Sequence, residues 1–180
     1  LGSHYIDALR HWFGEITKVS GGVWTYYPDR VDETEQTIKA TADDTFLFTL
    51  EFQTGGHASM HASSIAPFGG GAKIELFGTD GTLSSPQVGV NPPPDGVVLG
   101  AKVGHEVLKE LPMPDRFQPF LDERDGRSLP FRLLVREFAR GAHEGISPSP
   151  NFYDGFRCQQ VLDAVLESSR TNCQVSIVDQ

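Results

Sequence analysis

Histidine is the residue type in this chain that is most suited to moving a proton near neutral pH. His4 and His11 lie seven residues apart in a predicted helix, which separates them by about 10 Å. His57 and His61 lie four residues apart on one face of a predicted strand, about 13 Å from each other. These distances are too long for either pair to share a metal ion, and no Cys/His spacing resembles a zinc site. A single histidine can act in general acid–base catalysis, and the alternative for His4 is that it caps or packs a helix end.

A second group of chemically useful side chains is the polar segment that leaves a predicted strand near residue 61. His61, Ser63 and Ser64 lead into a glycine-rich loop, and serine hydroxyls can both donate and accept hydrogen bonds. This pattern indicates a site for a polyol, although an ordinary polar strand end is an equally open interpretation. The glycines at 69–71 do not predict a phosphate loop, because a strand rather than a helix follows them.

Composition excludes several classes of function. With 180 residues and 38% hydrophobic content, the sequence predicts one soluble globular domain. Its net charge of −9 and scattered basic residues disfavour nucleic acid as a partner. No apolar run approaches 18 residues, so no membrane helix is predicted. Cys158 and Cys173 would lie about 22 Å apart along a helix, too far for a disulfide, which favours a reduced, cytoplasmic protein.

The elements that must position these groups begin with a helix at residues 3–13, which Gly14 should end. Residues 15–27 predict one strand, or two short strands broken at Gly21 and Gly22. Residues 28–35 are polar and predict a loop, and Asp43 with Asp44 predicts a turn.

The clearest alternation of apolar and polar residues covers residues 45–52 and predicts a strand. Its apolar face comprises Phe46, Phe48, Leu50 and Phe52. We expect this face to form the core against the helices, and a pocket for a small ligand is the alternative. Residues 54–56 should close a hairpin into a second strand at 57–64.

The second half of the chain predicts further short strands followed by two helices. Strands are expected at 72–77 and 97–99, with a last central strand at 107–111. A tight turn is expected at 78–81, in which Asp80-Gly81 supplies the positive φ. An irregular connection is expected at 112–128. Two helices follow it, with apolar stripes at 131–138 and 158–169. Asn172 is the expected C-cap of the second helix, and a short terminal strand is expected at 174–178. This order predicts an α+β fold, with a large, mostly antiparallel sheet that has helices on one face and an open second face.

Four stretches together resemble a known family. Residues 1–7, LGSHYID, are similar to the second half of the D-x-G-x-H-x-I-D motif of the Gfo/Idh/MocA oxidoreductases, although residues 2–4 can also be read as a cloning remnant. Residues 77–83 resemble the G-x-x-G-x-L hairpin of that family, 148–155 its P-x-P-x-x-x-D-G segment and 161–168 its V-L-D-A-x-x-x-S helix. The family's motif aspartate would lie one position before Leu1, so the chain is expected to start inside the motif.

The resemblance implies that residues 1–180 form a single C-terminal domain and that the dinucleotide-binding Rossmann domain is absent from this chain. It implies a substrate-binding and oligomerisation domain of an NAD(P)-dependent sugar or polyol dehydrogenase, with His4 as the catalytic residue. We expect NAD or NADP to bind the full-length protein but not this chain alone, and a homodimer or homotetramer to form through the sheet. We expect this chain to be inactive without the Rossmann domain, although it would be a fragment of an oxidoreductase that acts on CH–OH groups. The alternative is a non-catalytic interaction module that oligomerises through its open sheet face.

Overall fold

The computed structural model describes residues 2–69, 71–87, 97–117, 119–120 and 128–177. The chain forms two compact units: unit 1 comprises Leu1–Pro67 and Ser149–Gln180, and unit 2 comprises Phe68–Pro148. In chain order the elements are α1 (Gly2–Phe13), β1 (Ile16–Trp24), β2 (Asp29–Val31), β3 (Thr37–Lys39), β4 (Thr45–Phe52), β5 (His57–Ser63), β6 (Ala72–Gly78), β7 (Gly81–Gln87), β8 (Val98–Lys102), β9 (Lys109–Leu111), α2 (Ser128–Glu144), α3 (Phe152–Thr171) and β10 (Val175–Ser176), with a 3-10 turn at Asp115–Phe117.

Unit 1 is built on a four-stranded antiparallel sheet in the order β10-β1-β4-β5. β1 runs without a break through the two glycines, so the interpretation as one strand is confirmed. Gly21 has a φ of 150°, and a Cβ there would lie 2.4 Å from Phe48 Cα on β4. Glycine therefore lets the two strands approach each other closely while β1 continues.

The core of unit 1 lies between one face of this sheet and the helices α1 and α3. The apolar residues of β4 pack there as predicted, so the Phe-rich face is core and the alternative of a ligand pocket is wrong. The buried apolar residues are Ile6, Ile16, Val19, Phe48, Leu50, Phe52, Cys158, Val161, Ala164 and Val165. Each large aliphatic or aromatic side chain among them contributes about 1.5–3 kcal/mol by leaving water.

The second face of this sheet is exposed. Leu47 on β4 is 50% exposed, and its neighbour His61 on β5 is exposed beside it. Thr49 and Ser59 form the next exposed pair along the same two strands. The alternation in the sequence thus places hydroxyl and imidazole groups on the face opposite the helices.

Helix α3 is held at both ends by local hydrogen bonds. The Asn151 side chain accepts from the backbone N–H of Asp154, and the Asp154 carboxylate accepts from the N–H of Asn151. This reciprocal capping box satisfies donors that the first turn leaves free. Asn172 ends the helix in the left-handed conformation, with a φ of 55°, which confirms it as the C-cap.

One segment of unit 1 departs from its predicted structure. Residues 29–31 pair with residues 37–39 to form the antiparallel hairpin β2–β3, so the prediction of a loop at 28–35 is wrong. All residues of both strands are exposed. β2 lacks the alternation of apolar and polar residues that marks a strand on a core, which is why it was not recognised. β3 lies within residues 37–42, whose alternation predicts a strand.

Unit 2 is built on a separate antiparallel sheet in the order β6-β7-β8-β9. The turn between β6 and β7 is confirmed, but Gly81 does not have a positive φ. A Cβ at Gly81 would lie 2.2 Å from Ala101 O, so close approach of β8 explains the glycine instead. β9 is an edge strand and not a central one, because within the described residues it pairs with β8 alone.

The apolar stripe of α2 is exposed. Phe131 and Phe138 are 64% and 72% exposed, and Leu134 and Val135 are each 47% exposed. The helix itself is confirmed, whereas its apolar face does not enter a core within the described residues. Residues 118 and 121–127 of the predicted connection, and residue 178 of the predicted terminal strand, lie outside the described residues.

The α+β class is confirmed, with three α-helices and mostly antiparallel strands among the described residues. These strands are divided between two four-stranded sheets and the β2–β3 hairpin. The division is set by hydrogen-bond pairing between distant strands, which a local pattern does not specify. Within the described part of the chain, no helix has the length and apolar character needed to cross a membrane.

Candidate functional site

Three strands of unit 1 end side by side, and the predicted polar segment lies at this end. Trp24 of β1 is paired with Thr45 of β4, and Thr45 is paired with Ser63 of β5. Because directly paired residues in an antiparallel sheet lie close together, this register joins the ends of three distant segments. We refer to Asp44, Thr45, Ser63 and Ser64 as the hydroxyl cluster.

Asp44 is the centre of the hydroxyl cluster, and its carboxylate is fully buried. The carboxylate accepts hydrogen bonds from the backbone N–H of Tyr27 at 2.9 Å and from the hydroxyl of Thr45 at 3.1 Å. Arg30 lies 3.6 Å away and supplies an opposite charge. Through these hydrogen bonds Asp44 connects the segment that follows β1 with the start of β4.

These contacts decide the charge of Asp44. Burial by itself raises the pKa of the carboxyl group, because a charge is costly away from water. Hydrogen bonds from the N–H groups of Tyr27 and Tyr26 and from Thr45, together with the charge of Arg30, outweigh burial and lower the pKa from its usual value. Asp44 is therefore an anion at neutral pH.

The two serines that were predicted to bind substrate both belong to this cluster. Ser63 Oγ lies 2.9 Å from Thr45 Oγ1 and accepts the N–H of Ile65 at 3.4 Å. The backbone N–H and the hydroxyl of Ser64 both donate to the carbonyl oxygen of Asp44, at 2.8 and 3.2 Å. Ser63 is half-buried and Ser64 is exposed, so both oxygens are fixed in place at the surface.

His61 lies on the same face of the sheet as Ser63, two residues before it on β5. It lies on the exposed face of the sheet beside Leu47, opposite the face that carries α1 and α3. The structure therefore separates His61 from the helix that carries His4 by the thickness of the sheet. Its predicted role in substrate binding stays a prediction.

His4 lies in the first turn of α1 and is exposed. The direction of α1 follows from its contacts with α3: Arg10 meets Asp154 and Cys158, whereas Gly2 lies against Leu162. Further along α3, Ser168 and Ser169 accept hydrogen bonds from the N–H groups of Gly21 and Val23, near the end of β1.

The N-terminal end of α1 is therefore directed toward the end of unit 1 that carries the hydroxyl cluster. Within the described residues, no hydrogen bond joins His4 to Ser63, Ser64 or His61. The structure brings His4 and the serines to the same end of unit 1, although Ser63 lies on the sheet face opposite α1, and their cooperation stays a prediction.

A charged network that the sequence did not reveal lies at the opposite end of α1. Arg10 and Arg157 have side chains that are 6% and 4% exposed, and both donate to the carboxylate of Glu15. Burial at Cys158 raises the pKa of its thiol, which lies 3.8 Å from Asp7. This network joins α1, the start of β1 and α3, and its position away from the hydroxyl cluster gives it a structural role.

Asp44, Thr45 and the charged network are the residues that sequence reasoning missed. Asp44 was predicted to form an exposed turn, and nothing in its neighbourhood indicates that 17 residues earlier the chain supplies its backbone donors. One signal in the sequence could have indicated Asp44: it is a polar residue directly before β4, the strand with the clearest alternation. Long-range pairing is what makes this residue central.

The described residues do not fit a dinucleotide by themselves. Such a cofactor requires a glycine-rich turn from a strand into a helix, so that the helix N-terminus meets the diphosphate. Here the glycine-rich segment near 69–71 is followed by strand β6, and the sheets of both units are antiparallel. Within the described residues, no group of three or more His, Cys, Asp or Glu side chains could hold a metal ion.

Comparison with known proteins shows what this arrangement resembles. Residues 1–84 match the family model of the GFO/IDH/MocA C-terminal domain. The chain is therefore similar to that domain over its first 84 residues. It is 24% identical over 185 residues to an uncharacterised oxidoreductase of Synechocystis sp., an alignment that covers 99% of this chain and 49% of that protein.

Solved structures share the fold of this chain. An NAD-binding oxidoreductase from Klebsiella pneumoniae matches with a TM-score of 0.79 and 21% identity, over 100% of this chain and 50% of that one. Levoglucosan dehydrogenase in complex with NADH and levoglucosan matches with a TM-score of 0.79 and 20% identity, over 99% of this chain and 49% of that one. The chain thus spans about half the length of the relatives that it matches.

Proposed function

We propose that this chain is the substrate-binding and oligomerisation domain of an NAD(P)-dependent sugar or polyol dehydrogenase. In this proposal a Rossmann domain precedes the chain and holds NAD or NADP, and the chain alone binds neither. The observation that carries the proposal is the motif histidine, His4, exposed in the first turn of α1 in a chain that is similar to this family. Relatives about twice the length of the chain support the missing domain.

In this enzyme His4 is the catalytic residue that handles the proton of the substrate hydroxyl. Oxidation of an alcohol carbon to a carbonyl removes a hydride from carbon and a proton from oxygen. The nicotinamide, held outside the described residues, receives the hydride. An exposed imidazole suits the proton transfer near neutral pH.

The substrate in this proposal is a neutral sugar or polyol that contacts Ser63 and Ser64. Fixed hydroxyl groups at the surface suit a ligand with several hydroxyls of its own. The complex of levoglucosan dehydrogenase with levoglucosan supports a sugar as the substrate class. His61 would contact the substrate or a second subunit from the exposed face of the sheet.

The same exposed face is the proposed surface for a homodimer or homotetramer. It presents Leu47, which is 50% exposed, between polar side chains. A surface of this composition can bury an apolar centre within a polar rim. Two free cysteines and a net charge of −9 support a cytoplasmic enzyme that does not use nucleic acid as a partner.

The decisive experiment is to determine the open reading frame upstream of Leu1 and to express the complete protein. A G-x-G-x-x-G strand-turn-helix and a Lys-Pro sequence are expected there. The complete protein should reduce NAD or NADP, followed by absorbance, with at least one sugar from a panel that contains levoglucosan, D-glucose and myo-inositol. If no dinucleotide-binding sequence precedes the chain, the alternative of a non-catalytic interaction module is favoured instead.

Substitution of His4 tests its catalytic role in the complete protein. His4→Asn should lower kcat by about 10²–10⁴-fold, because it removes a general base. His11→Asn is the matched control, since His11 is exposed on the same helix. Activity of His4→Asn within threefold of the unmodified protein would exclude His4 as the proton acceptor.

Light scattering after size-exclusion chromatography tests the oligomer. Leu47→Asp should shift the complete protein toward monomer, because it buries a charge in the proposed interface. Leu166→Asp is the matched control, since Leu166 is 51% exposed on α3, outside the sheet face. A protein that is strictly monomeric before substitution contradicts the proposed interface.

A further inference from the structure

We infer that the hydroxyl cluster fixes the protons of Ser63 and Ser64 inward, so that these serines recognise only ligand groups that donate a hydrogen bond. This inference rests on the proposed function for its substrate, a neutral sugar or polyol. Beyond that function, we infer that the serine hydroxyls act toward a ligand as hydrogen-bond acceptors and not as donors. We call this the polarity of the site, and Asp44 and Thr45 are the positioning residues that set it.

The first step is the direction of the bond between Thr45 and Asp44. A carboxylate has no proton and can only accept hydrogen bonds. Asp44 lies 3.6 Å from Arg30 and accepts the N–H of Tyr27, and both contacts favour the charged form against the cost of burial. The Thr45 hydroxyl, 3.1 Å from Asp44 Oδ1, must therefore be the donor.

The second step follows from the number of protons. A threonine hydroxyl has one proton, and that of Thr45 is already donated to Asp44. In the contact of 2.9 Å between Thr45 Oγ1 and Ser63 Oγ, the donor must then be Ser63. Ser63 Oγ also accepts the N–H of Ile65, so one acceptor position remains on this oxygen.

The third step concerns Ser64, whose proton is fixed independently. Its hydroxyl donates to the backbone carbonyl oxygen of Asp44 at 3.2 Å, and a carbonyl cannot donate in return. Because Ser64 is exposed, both acceptor positions of its oxygen are open to a ligand. Two neighbouring serines thus offer acceptors and no free proton.

This polarity selects the chemical class of ligand. A sugar hydroxyl can donate to both serines, whereas a carboxylate or phosphate oxygen would meet only other acceptors. The site is expected to prefer neutral sugars or polyols to the corresponding uronates and sugar phosphates.

Neutron crystallography of the perdeuterated 180-residue chain tests the proton positions without any ligand. The expected result is a deuteron on Thr45 Oγ1 that points to Asp44, and one on Ser63 Oγ that points to Thr45. A deuteron on Ser63 that points to solvent overturns the inference. This measurement does not depend on whether the chain belongs to a dehydrogenase.

Deoxy and deoxyfluoro sugars test the consequence in the complete enzyme. Fluorine occupies the place of a hydroxyl but cannot donate, so an acceptor-only site should lose about 2–10-fold in kcat/KM for both analogues at the recognised position. If the deoxyfluoro sugar kept its activity while the deoxy sugar lost it, the serines would be donors, and the inference would be overturned. If no sugar is oxidised at all, the proposed function fails, and the neutron map alone decides the proton positions.

Variants of Thr45 connect the two measurements. Thr45→Val releases the proton of Ser63, so the fluoro analogue should then be used better than the deoxy analogue. Thr45→Ser keeps the hydroxyl and should restore equal losses for the two analogues. Thr49→Val is the matched control, because its hydroxyl on the same strand donates to the carbonyl of Ser20, outside the cluster. Unchanged discrimination in Thr45→Val would contradict the role of Thr45.

Discussion

Unit 1 and unit 2 contain similar antiparallel sheets but differ in what each sheet covers. In unit 1 the sheet packs against α1 and α3, and every buried apolar side chain among the described residues belongs to this unit. In unit 2 the buried described residues are Ser84, Gly100 and Gly141, and the apolar stripe of α2 is exposed. Unit 1 therefore carries its own core, whereas the described part of unit 2 does not.

This difference shows that an apolar pattern does not by itself produce burial. β4 of unit 1 and α2 of unit 2 both have clear apolar faces, but only the face of β4 is covered. The free energy of burial comes from the area that is removed from water, which depends on a second element. The residues proposed for function lie in unit 1, where a packed core holds their strands in register.

The largest effect is expected for a cavity in the core of unit 1. Leu50→Ala should lower the free energy of unfolding by about 3–4 kcal/mol, because Leu50 is 1% exposed and the space it leaves is poorly refilled. Leu47→Ala, on the same strand but 50% exposed, should change it by less than about 0.5 kcal/mol. Denaturant unfolding would measure both, and equal losses would contradict the assignment of the two faces.

The charged network of unit 1 should give the next largest effect. Glu15→Gln should lower the free energy of unfolding by about 2 kcal/mol at pH 7, because it removes the carboxylate that two buried arginines share. This value is below that of a fully buried pair, since Glu15 is 33% exposed.

The same substitution has a predictable dependence on pH. The hydrogen bond from Arg10 is the main reason that the pKa of Glu15 is lowered, so its contribution is complete above the usual glutamate value of 4.5 and is lost as pH falls through the lower, folded value. The difference between the two proteins should therefore be constant near pH 7 and shrink below about pH 4.5. A difference that grows in acid would contradict this assignment. Glu137→Gln, which breaks an exposed ion pair on α2 of unit 2, should have no measurable effect.

A smaller effect is expected at the start of α3. Asn151→Ala removes the side-chain oxygen that accepts the N–H groups of Tyr153 and Asp154, and should cost about 1 kcal/mol. Asn151→Asp keeps an acceptor at the same place and should retain most of the stability. Thermal unfolding of the two variants would separate capping from a general intolerance of substitution.

The smallest effect is expected on α2 of unit 2. Phe138→Ala should change the free energy of unfolding by less than about 0.5 kcal/mol, because Phe138 is 72% exposed in the chain. A loss of 3 kcal/mol or more, as for a buried phenylalanine, would show that the stripe is covered in solution and would remove the contrast between the units.

Much of the fold was accessible from local patterns. The alternation of β4 predicted both the strand and the side that enters the core, since strand side chains point alternately to opposite faces. The helix at the start of the chain and the cap at Asn172 were also predicted, because helix ends have local chemical signals. The exposed strand β2, its pairing with β3 and the edge position of β9 were not predicted, because neither of two paired strands specifies the pairing by itself.

The candidate site was predictable only in part. The motif around His4 and the hydroxyls of Ser63 and Ser64 are visible in the sequence as residue types at fixed spacings. Their partners are not, because Asp44 and Thr45 reach Ser63 only through the register between β4 and β5.

The sequence by itself determined which segments become helices and strands, which faces are apolar, and which family the chain resembles. Only the tertiary structure decided that Asp44 is buried, that α2 stays uncovered among the described residues, and that Thr45 lies between a carboxylate and a serine. The physical reason is that periodicity and capping act over a few neighbouring residues. Burial and the direction of a shared hydrogen bond depend on groups that are distant in the chain and meet only when the sheet has formed.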